Sequence, residues 1–318
     1  MNRPTRLKIS LQTVRNNISA LRSIAPDSLF CAVVKADAYG QGAVRVGEAA
    51  IEAGADWLAV ALMQEAKELR EAGLTAPILV LSQPHPNEIK ELKNLEGVRP
   101  TVYTSEGIEE IASVAPKTPV HLKIETGMNR VGASEKNSVH LANQITNSGL
   151  ILEGVFTHFA SADEPESSFP AEQSVIFDQA IKELADNGHQ PAIIHMANSA
   201  AAMNFPASHR SMVRPGIAIY GAEPSIYLRD RCDQIGLKPT AQFETEVRHI
   251  HEIKSGETVS YGRRWTTPHD TLLATLPVGY GDGIPRSWWE KGSVIINGQR
   301  RPIRGVITMD QLMVEVDA

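Results

Sequence analysis

The sequence is short of cysteine and has no long hydrophobic run. Only two cysteines occur in 318 residues, Cys31 and Cys232, and they lack CxxC spacing. This excludes a disulfide framework and a cysteine zinc site, and it favours a reducing compartment. No stretch approaches the length of a membrane span, and Met1–Gln12 lacks the apolar core of a secretion signal. We therefore expect a cytoplasmic protein without a membrane segment.

The chain also lacks an excess of basic charge. Its formal net charge is -6, and its lysines and arginines are dispersed rather than gathered in a stripe. Nucleic acids and anionic membrane surfaces are therefore not expected as partners. The hydrophobic content of 42% is enough for a large buried core.

Short apolar runs alternate with longer amphipathic stretches over the first two thirds of the chain. Eight such runs predict buried strands: Leu29–Val34, Trp57–Leu62, Pro77–Leu81, Val98–Tyr103, Val120–Ile124, Leu152–His158, Ala192–Met196 and Met212–Tyr220. The intervening stretches that predict helices include Val44–Ala53, Met63–Ala72, Asn87–Lys93, Glu106–Ala112 and Glu172–Asp186. Strand and helix alternate in the pattern of an α/β TIM barrel, (β/α)8, which we place at residues 1–228.

The pattern changes after residue 228 to short β-rich segments separated by turn signals. Asn297-Gly298 between two apolar runs is the strongest hairpin signal in the chain. We predict a second, mainly β domain over residues 229–318, with the boundary inside Ser225–Thr240. The first segment, residues 1–12, is a candidate to pack on this domain.

The most informative stretch is AVVKADAYG at 32–40, where an apolar strand ends on a lysine. Burial favours the neutral form of an amine, and an oriented neutral amine is what Schiff-base chemistry requires. Gly40 and Gly42 give the backbone freedom for a tight turn, and Tyr39 places a hydroxyl nearby. The alternative is a lysine that packs its stem and extends its amine to solvent.

Further polar residues follow the other predicted strands. In a TIM barrel the carboxyl ends of the strands meet at the active-site face, so these residues are expected to lie together. An amine, an imidazole, arginines, hydroxyls and glycine amides suit a phosphorylated aromatic aldehyde, and pyridoxal phosphate is the cofactor that fits. The residues are Lys35, Tyr39, Lys123, Arg130, His158, Asn198, Ser199, Arg214, Gly216 and Ile217.

The chain resembles the bacterial alanine racemases, which are fold-type III pyridoxal-phosphate enzymes. The matching motifs lie in family order: AVVKADAYG at 32–40, HLKIETGMNRVG at 121–132, THFASADEP at 157–165, HMANSAA at 195–201, VRPGIAIYG at 213–221, VSYG at 259–262, VGYGDGIPR at 278–286 and TMDQLMV at 308–314. The resemblance implies a homodimer that interconverts L- and D-alanine and supplies D-alanine for peptidoglycan.

The resemblance also implies a role for each matched residue. Lys35 would hold the cofactor and act as one base, and Tyr261 of the second subunit would be the opposite base. Arg214 would face the pyridine nitrogen, and Arg130 the phenolate oxygen and the substrate carboxylate. His158 would lie beside the cofactor ring, Met309 would contact the substrate, and Lys123 matches a lysine that is carbamylated in many members. The cofactor phosphate would be bound by Tyr39, Ser199, Gly216 and Ile217, with the matched residues Asn198 and Tyr220 adjoining. The substrate entrance would be lined by Asp163, Tyr280 and Arg286.

Three features depart from the family pattern. Gln41 stands where many members have histidine, and Val306 where many have arginine. Members usually continue beyond the motif at 308–314, so the β domain is expected to be incomplete at its C-terminus. The alternatives left open are a non-catalytic pyridoxal-phosphate-binding protein, an inactive fragment, and a racemase of another small amino acid such as serine. His249 and His251 share one face of a predicted strand, but without a third ligand we expect no metal site.

Overall fold

The computed structural model describes residues 3–316 and divides the chain into two compact units. The barrel unit is Ile9–Thr240, and the C-terminal unit combines the residues up to Lys8 with those from Ala241 onward. The structural division therefore falls at the end of the interval Ser225–Thr240, later than the predicted division after residue 228. The described part of the segment 1–12 is shared between the two units.

The strands up to the end of the barrel are β1 (Arg6–Ile9), β2 (Leu29–Val33), β3 (Trp57–Val60), β4 (Ile78–Val80), β5 (Val98–Val102), β6 (Pro119–Glu125), β7 (Ala133–Ser134), β8 (Ile151–Phe156), β9 (Ile193–His195) and β10 (Met212–Val213). The barrel order is β5-β4-β3-β2-β10-β9-β8-β6, and β5 also pairs with β6, so the ring closes. All of these pairings are parallel. The predicted (β/α)8 barrel is confirmed.

The helices alternate with the strands, and several begin at a side-chain cap. They are α1 (Leu11–Ser23), α2 (Lys35–Gly40), α3 (Ala43–Glu52), α4 (Met63–Glu71), α5 (Ser105–Val114), α6 (Ser138–Asn147), α7 (Phe169–Asp186), α8 (Ser199–Asn204) and α9 (Arg229–Ile235). Ser10 caps α1 by accepting from the Thr13 amide, and Thr104 caps α5 by accepting from the Gly107 amide. Such caps satisfy amides that have no partner within the helix.

Two predicted elements differ in the structure. The stretch predicted as a helix at Asn87–Lys93 is a 3-10 helix, Ile89–Asn94. The strand predicted to reach Tyr220 ends at Val213, because Pro215 has no amide hydrogen for the ladder, and the chain then forms a 3-10 helix, Ile217–Tyr220.

The barrel core has two layers separated by the sheet. Alternate residues of β2 belong to different clusters: Phe30 and Ala32 lie in the large cluster that includes the helices, whereas Cys31 and Val33 belong to a smaller cluster formed only by strand residues. Side chains on a strand point to opposite faces in turn, so one β2 face contacts the helices and the other faces the barrel interior. The end of the interior at the carboxyl ends of the strands is polar and includes the buried Lys123 and Arg214.

The C-terminal unit is mainly β, as predicted. Its strands are β11 (Ala241–Glu244), β12 (His249–Ile253), β13 (Thr258–Val259), β14 (Trp265–Thr266), β15 (Thr271–Leu276), β16 (Ser293–Ile296), β17 (Gln299–Pro302) and β18 (Leu312–Val316). β12, β15 and β18 form an antiparallel sheet, while β11 pairs with β1. Asn297 and Gly298 join β16 to β17 with φ of 50° and 77°, the positive values that a tight hairpin turn requires.

Candidate active site

A cleft of about 470 Å³ lies at the carboxyl ends of the barrel strands. All of its lining residues belong to the barrel unit. The cleft brings together eleven of the residues singled out from the sequence: Lys35, Tyr39, Lys123, Arg130, His158, Asp163, Asn198, Ser199, Arg214, Gly216 and Ile217.

Lys35 stands at the start of a left-handed turn. Residues Ala36 to Tyr39 have φ between 52° and 57°, a conformation that costs about 1–2 kcal/mol for each L-residue. The turn is held from outside, because the Ala36 amide donates to the carboxylate of Glu65 on α4. The Asp37 carboxylate accepts from the Ala43 amide at 2.7 Å and ties the turn to α3. Neighbouring elements thus impose the backbone that orients Lys35.

The amine of Lys35 is half-buried, and its electrostatic surroundings favour the neutral form. Burial is the main cause that lowers its pKa, and the Arg130 cation lowers it further, while Glu65 partly opposes the shift. A larger fraction of Lys35 is therefore unprotonated near neutral pH than for a lysine in water. This is the form that can act as a nucleophile or a base.

Arg214 is a fixed cation at the floor of the cleft. Its side chain is buried and donates to His195 Nδ1 at 2.7 Å, to the Thr157 carbonyl at 2.7 Å and to the Met196 carbonyl at 3.2 Å. Burial lowers its pKa to about 10, which still leaves the guanidinium protonated at neutral pH. Arg214 therefore presents hydrogen-bond donors in a fixed direction.

His158 lies next to this cation and is kept neutral. An amino group of Arg214 is 3.4 Å from His158 Nδ1, and burial, followed by the Arg214 charge, lowers the pKa of His158 well below its usual value. The cleft therefore contains a flat uncharged imidazole beside a guanidinium. Such a ring can stack on an aromatic ligand.

Lys123 is the most strongly perturbed amine of the cleft. It is buried on β6, and burial, together with the Arg130 and Arg214 charges, lowers its pKa to about 8. Arg130 stands in the turn after the same strand. The Glu125 carboxylate shapes that turn by accepting from the Gly127 amide at 2.6 Å and the Arg130 amide at 3.3 Å.

Hydroxyl and amide groups also line the cleft. Ser199 Oγ accepts from the amides of Gly216 at 2.8 Å and Ala218 at 3.3 Å. A Cβ atom at Gly216 would come within 2.6 Å of the Tyr39 hydroxyl oxygen, so only glycine allows that hydroxyl to approach the backbone. The hydroxyls of Tyr39 and Ser199 beside Gly216 are neutral donors suited to an anion.

The remaining predicted residues fall into two groups. Asn198 caps α8 by accepting from the Ala201 amide at 3.0 Å. Tyr220 is buried behind the cleft wall, where its hydroxyl donates to the Val33 carbonyl at 3.1 Å, so a direct cofactor contact stays a prediction. The second group lies in the C-terminal unit, and its roles also stay predictions: Tyr261, Tyr280, Arg286 and Met309.

Gln41 and Val306, two of the three departures from the family pattern, each make a hydrogen bond within their own unit. The Gln41 side chain accepts from the Thr240 hydroxyl at 2.7 Å. Val306 is buried, and its carbonyl accepts from the Ser260 hydroxyl at 2.6 Å.

Sequence reasoning missed three residues of this region. Glu65 holds the turn after Lys35, but a glutamate on a helix surface has no distinguishing local pattern. Phe156 lines the cleft with its ring centroid 5.1 Å from the Arg214 guanidinium carbon. His195, the last residue of β9, is a direct partner of Arg214. Alternation along β8 and β9 was the signal that could have placed the last two inside the barrel.

Neither a membrane-spanning helix nor a metal-binding group of side chains occurs among the described residues. No helix within residues 3–316 is long and apolar enough to cross a membrane. In the same range there is no group of three or more histidine, cysteine or acidic residues that could hold a metal ion.

A closed parallel barrel that gathers lysine amines, a fixed guanidinium and hydroxyl groups in one cleft at the carboxyl ends of its strands is typical of a TIM-barrel enzyme. Two family models identify the family within this class of enzymes. Residues 9–224 match the alanine racemase N-terminal domain, and residues 240–318 match the alanine racemase C-terminal domain. The chain therefore belongs to the alanine racemase family, whose members are isomerase-type racemases.

Individual relatives agree with the family models. The chain is 43% identical to an alanine racemase of Treponema denticola over 99% of this chain and 84% of that protein. It is 40% identical to alanine racemase 2 of Oceanobacillus iheyensis, over 99% of this chain and 80% of the relative. The solved alanine racemase of Streptomyces lavendulae superposes with a TM-score of 0.93 at 34% identity, covering 100% of this chain and 85% of the other.

Proposed function

We propose that the protein is an alanine racemase that interconverts L-alanine and D-alanine with pyridoxal 5′-phosphate as its cofactor. The observation that supports this most directly is the position of Lys35. Its amine, with a lowered pKa, shares one cleft with the Arg214 cation and the Ser199 and Gly216 anion-binding group.

The residues of the cleft fit this cofactor. The space at Gly216, which a Cβ atom would fill, lies beside Tyr39 and Ser199, and the hydroxyls of these two residues would be neutral donors for a phosphate. Ile217 would contribute its amide there, Lys35 would hold the aldehyde carbon, and Arg214 would face the ring nitrogen. The bound cofactor supplies an electron sink that makes the Cα proton of an amino acid removable.

Arg214 limits how far electrons are withdrawn. A guanidinium with a pKa of about 10 stays protonated at neutral pH and donates its hydrogen bond. A pyridine nitrogen of the cofactor that faced it would accept that hydrogen bond and would not itself be protonated. The weaker electron withdrawal would favour return of the proton to Cα over side reactions such as transamination.

Arg130 and Lys123 would serve the substrate end of the cleft. Arg130 would bind the amino-acid carboxylate. The neutral form of Lys123 would add carbon dioxide to give a carbamate and release a proton, and the new negative charge would orient Arg130. The pKa of about 8 supports this, because it raises the fraction of neutral amine at physiological pH.

Racemisation needs proton transfer on both faces of Cα, and therefore two groups. We assign one face to Lys35 and the other to Tyr261 of the partner subunit in a homodimer. Met309 would contact the substrate, and Asp163, Tyr280 and Arg286 would line its entrance. The product D-alanine would serve peptidoglycan synthesis. The buried unpaired Cys31 and Cys232 are compatible with a cytoplasmic enzyme.

The test follows both the cofactor and the proton. Protein loaded with pyridoxal phosphate should show an imine absorbance band that borohydride removes, and Lys35→Ala should abolish the band. In deuterated water the wild-type protein should exchange the Cα proton of either alanine enantiomer and form the other one. Tyr261→Phe should retain the band and lose interconversion, because only one face still has a base.

Each alternative predicts a different result. A stable imine band without exchange at Cα would show a non-catalytic binding protein and overturn the proposal. Faster turnover of serine than of alanine would replace the substrate while leaving the class of reaction unchanged.

A further inference from the structure

A line of buried polar side chains runs from Arg214 through the barrel interior. Arg214 NH1 is 2.7 Å from His195 Nδ1, and His195 Nε2 is 2.8 Å from His121 Nδ1. The other nitrogen of His121, Nε2, is 3.3 Å from Glu153 Oε2. Both imidazoles are completely buried. Three hydrogen bonds therefore connect Arg214 to a carboxylate that is not part of the cleft lining.

The direction of every hydrogen bond in this line is determined by its two ends. A guanidinium only donates, so His195 Nδ1 is an acceptor and its proton is on Nε2. His195 therefore donates to His121 Nδ1, which leaves the His121 proton on Nε2, facing Glu153. A carboxylate only accepts. Both histidines are thus neutral Nε2–H tautomers, and the line runs from Arg214 to Glu153 without a conflict.

The ionised state of Glu153 is supported from its other side. Arg99 donates to it from Nε at 3.0 Å and from NH2 at 3.3 Å. Burial alone would raise the pKa of Glu153, but the hydrogen bonds from His121 and Arg99 outweigh it and lower the pKa to about 2. Burial, in turn, lowers the pKa of both His121 and His195, so both remain neutral.

The barrel makes specific room for the two rings. A Cβ atom at Gly154, the residue paired with His121, would come within 2.5 Å of the His121 ring. The strand register shifts between Val120 and His121 at the same place. His195 stacks on Phe156 with ring centroids 4.7 Å apart and planes inclined by 13°. Both imidazoles therefore have little freedom to turn.

We propose that Glu153 is a positioning residue for Arg214, acting through His121 and His195 to fix the tautomer that presents an acceptor to the guanidinium. Without the Glu153 acceptor the line is held only from the Arg214 end, and the Nε2–H form of His121 loses the hydrogen bond that favours it over the Nδ1–H form. A proton on His121 Nδ1 would point at the proton on His195 Nε2. The His195 proton would then be favoured on Nδ1, where it would point at Arg214. The role of Arg214 at a cofactor ring rests on the proposed function, whereas the tautomers do not.

The test reads the tautomers directly by 15N NMR of protein labelled at histidine. Protonated and unprotonated ring nitrogens give separate signals, so the wild type should show Nε2–H for both His121 and His195. In Glu153→Leu we expect the tautomer ratio of His195 to shift by about tenfold to hundredfold, the effect of one lost hydrogen bond to a charged group. Glu153→Gln keeps an acceptor oxygen and should restore the wild-type tautomers.

The control is Glu52→Leu, which removes an exposed carboxylate paired with Arg15 at 2.8 Å and should leave both tautomers unchanged. Unchanged His195 tautomers in Glu153→Leu would overturn the proposal. If Glu153→Leu does not fold, the Nε2–H proton resonances of Glu153→Gln provide the test. Loss of charge should weaken the hydrogen bond and move the Nε2–H proton resonances of both histidines, and a change confined to His121 would refute transmission to Arg214.

Activity gives an independent second measurement. In cofactor-loaded protein, Glu153→Leu should lower kcat/KM by about tenfold to hundredfold, and Glu153→Gln should recover most of it. Wild-type protein that neither binds the cofactor nor racemises alanine would defeat the proposed function. The NMR result would still decide the role of Glu153 in that case.

Discussion

We predict that Ala36→Gly, in the left-handed turn after Lys35, will stabilise the protein. The same substitution in a right-handed helix would destabilise it. Ala36 has a φ of 53°, and its side chain is exposed. Ala36→Gly removes no buried contact, and the amide that donates to Glu65 is retained. The substitution therefore changes little except the cost of the backbone conformation.

The size of the effect follows from two opposing contributions. Relief of the left-handed conformation should stabilise the fold by about 1–2 kcal/mol. The greater freedom of glycine in the unfolded chain should cost about 0.5–1 kcal/mol. We expect a net gain of about 0.5–1 kcal/mol in the free energy of unfolding.

The assay is urea unfolding, compared with a matched substitution in a right-handed helix. Ala20 lies inside α1 with its side chain partly buried against the core, so Ala20→Gly should lower the free energy of unfolding by at least about 1 kcal/mol. The same change of residue should thus have opposite signs at the two sites. A loss of stability in Ala36→Gly as large as that in Ala20→Gly would show that the left-handed backbone at Ala36 costs no free energy.

Three further predictions follow from the same structure. Gly216→Ala should raise the Kd for pyridoxal phosphate by about tenfold, because the new methyl group would displace the Tyr39 hydroxyl, and a fluorescence titration that shows unchanged affinity would contradict this. Because the pKa of Lys123 is lowered to about 8, the fraction of its neutral amine increases as the pH rises through that value. 13C NMR with labelled bicarbonate should therefore show a carbamate signal that grows over this pH range. The signal should be absent from Lys123→Arg. Gly221→Ala should lower the free energy of unfolding by about 2–5 kcal/mol, since its φ is 69° and its Cβ atom would lie 1.8 Å from the Lys238 carbonyl oxygen; a loss below about 1 kcal/mol in urea unfolding would argue against it.

Much of the barrel could be predicted because its signals are local. Each strand is a short apolar run, and each helix has a repeating apolar face, so the alternation is visible without knowledge of long-range contacts. The Asn297-Gly298 turn was predictable for the same reason, since only its own two residues need positive φ. The end of β10 was mispredicted because the apolar character continues past Pro215, while the capacity for hydrogen bonding does not.

The candidate site was predictable only in part. Residues that directly follow strands, such as Lys35 and Arg214, could be assigned to one face of a barrel. Glu65 and Glu153 could not, because each acts on a partner far away in sequence. The contact of Tyr220 with the cofactor stays a prediction, and the hydrogen bond from its hydroxyl to the Val33 carbonyl was not visible in the sequence.

The order of strands and helices, the family and the residue types that meet at the barrel rim could all be predicted from the amino-acid sequence. They follow from periodicity, turn residues and motif order, all of which are properties of neighbouring positions. The left-handed backbone after Lys35, the lowered pKa of Lys123 and the tautomers of His121 and His195 arise only in the folded chain. Each depends on burial or on a hydrogen-bond partner from a distant part of the chain. Neither burial nor a distant partner can be predicted from the neighbouring residues in the sequence.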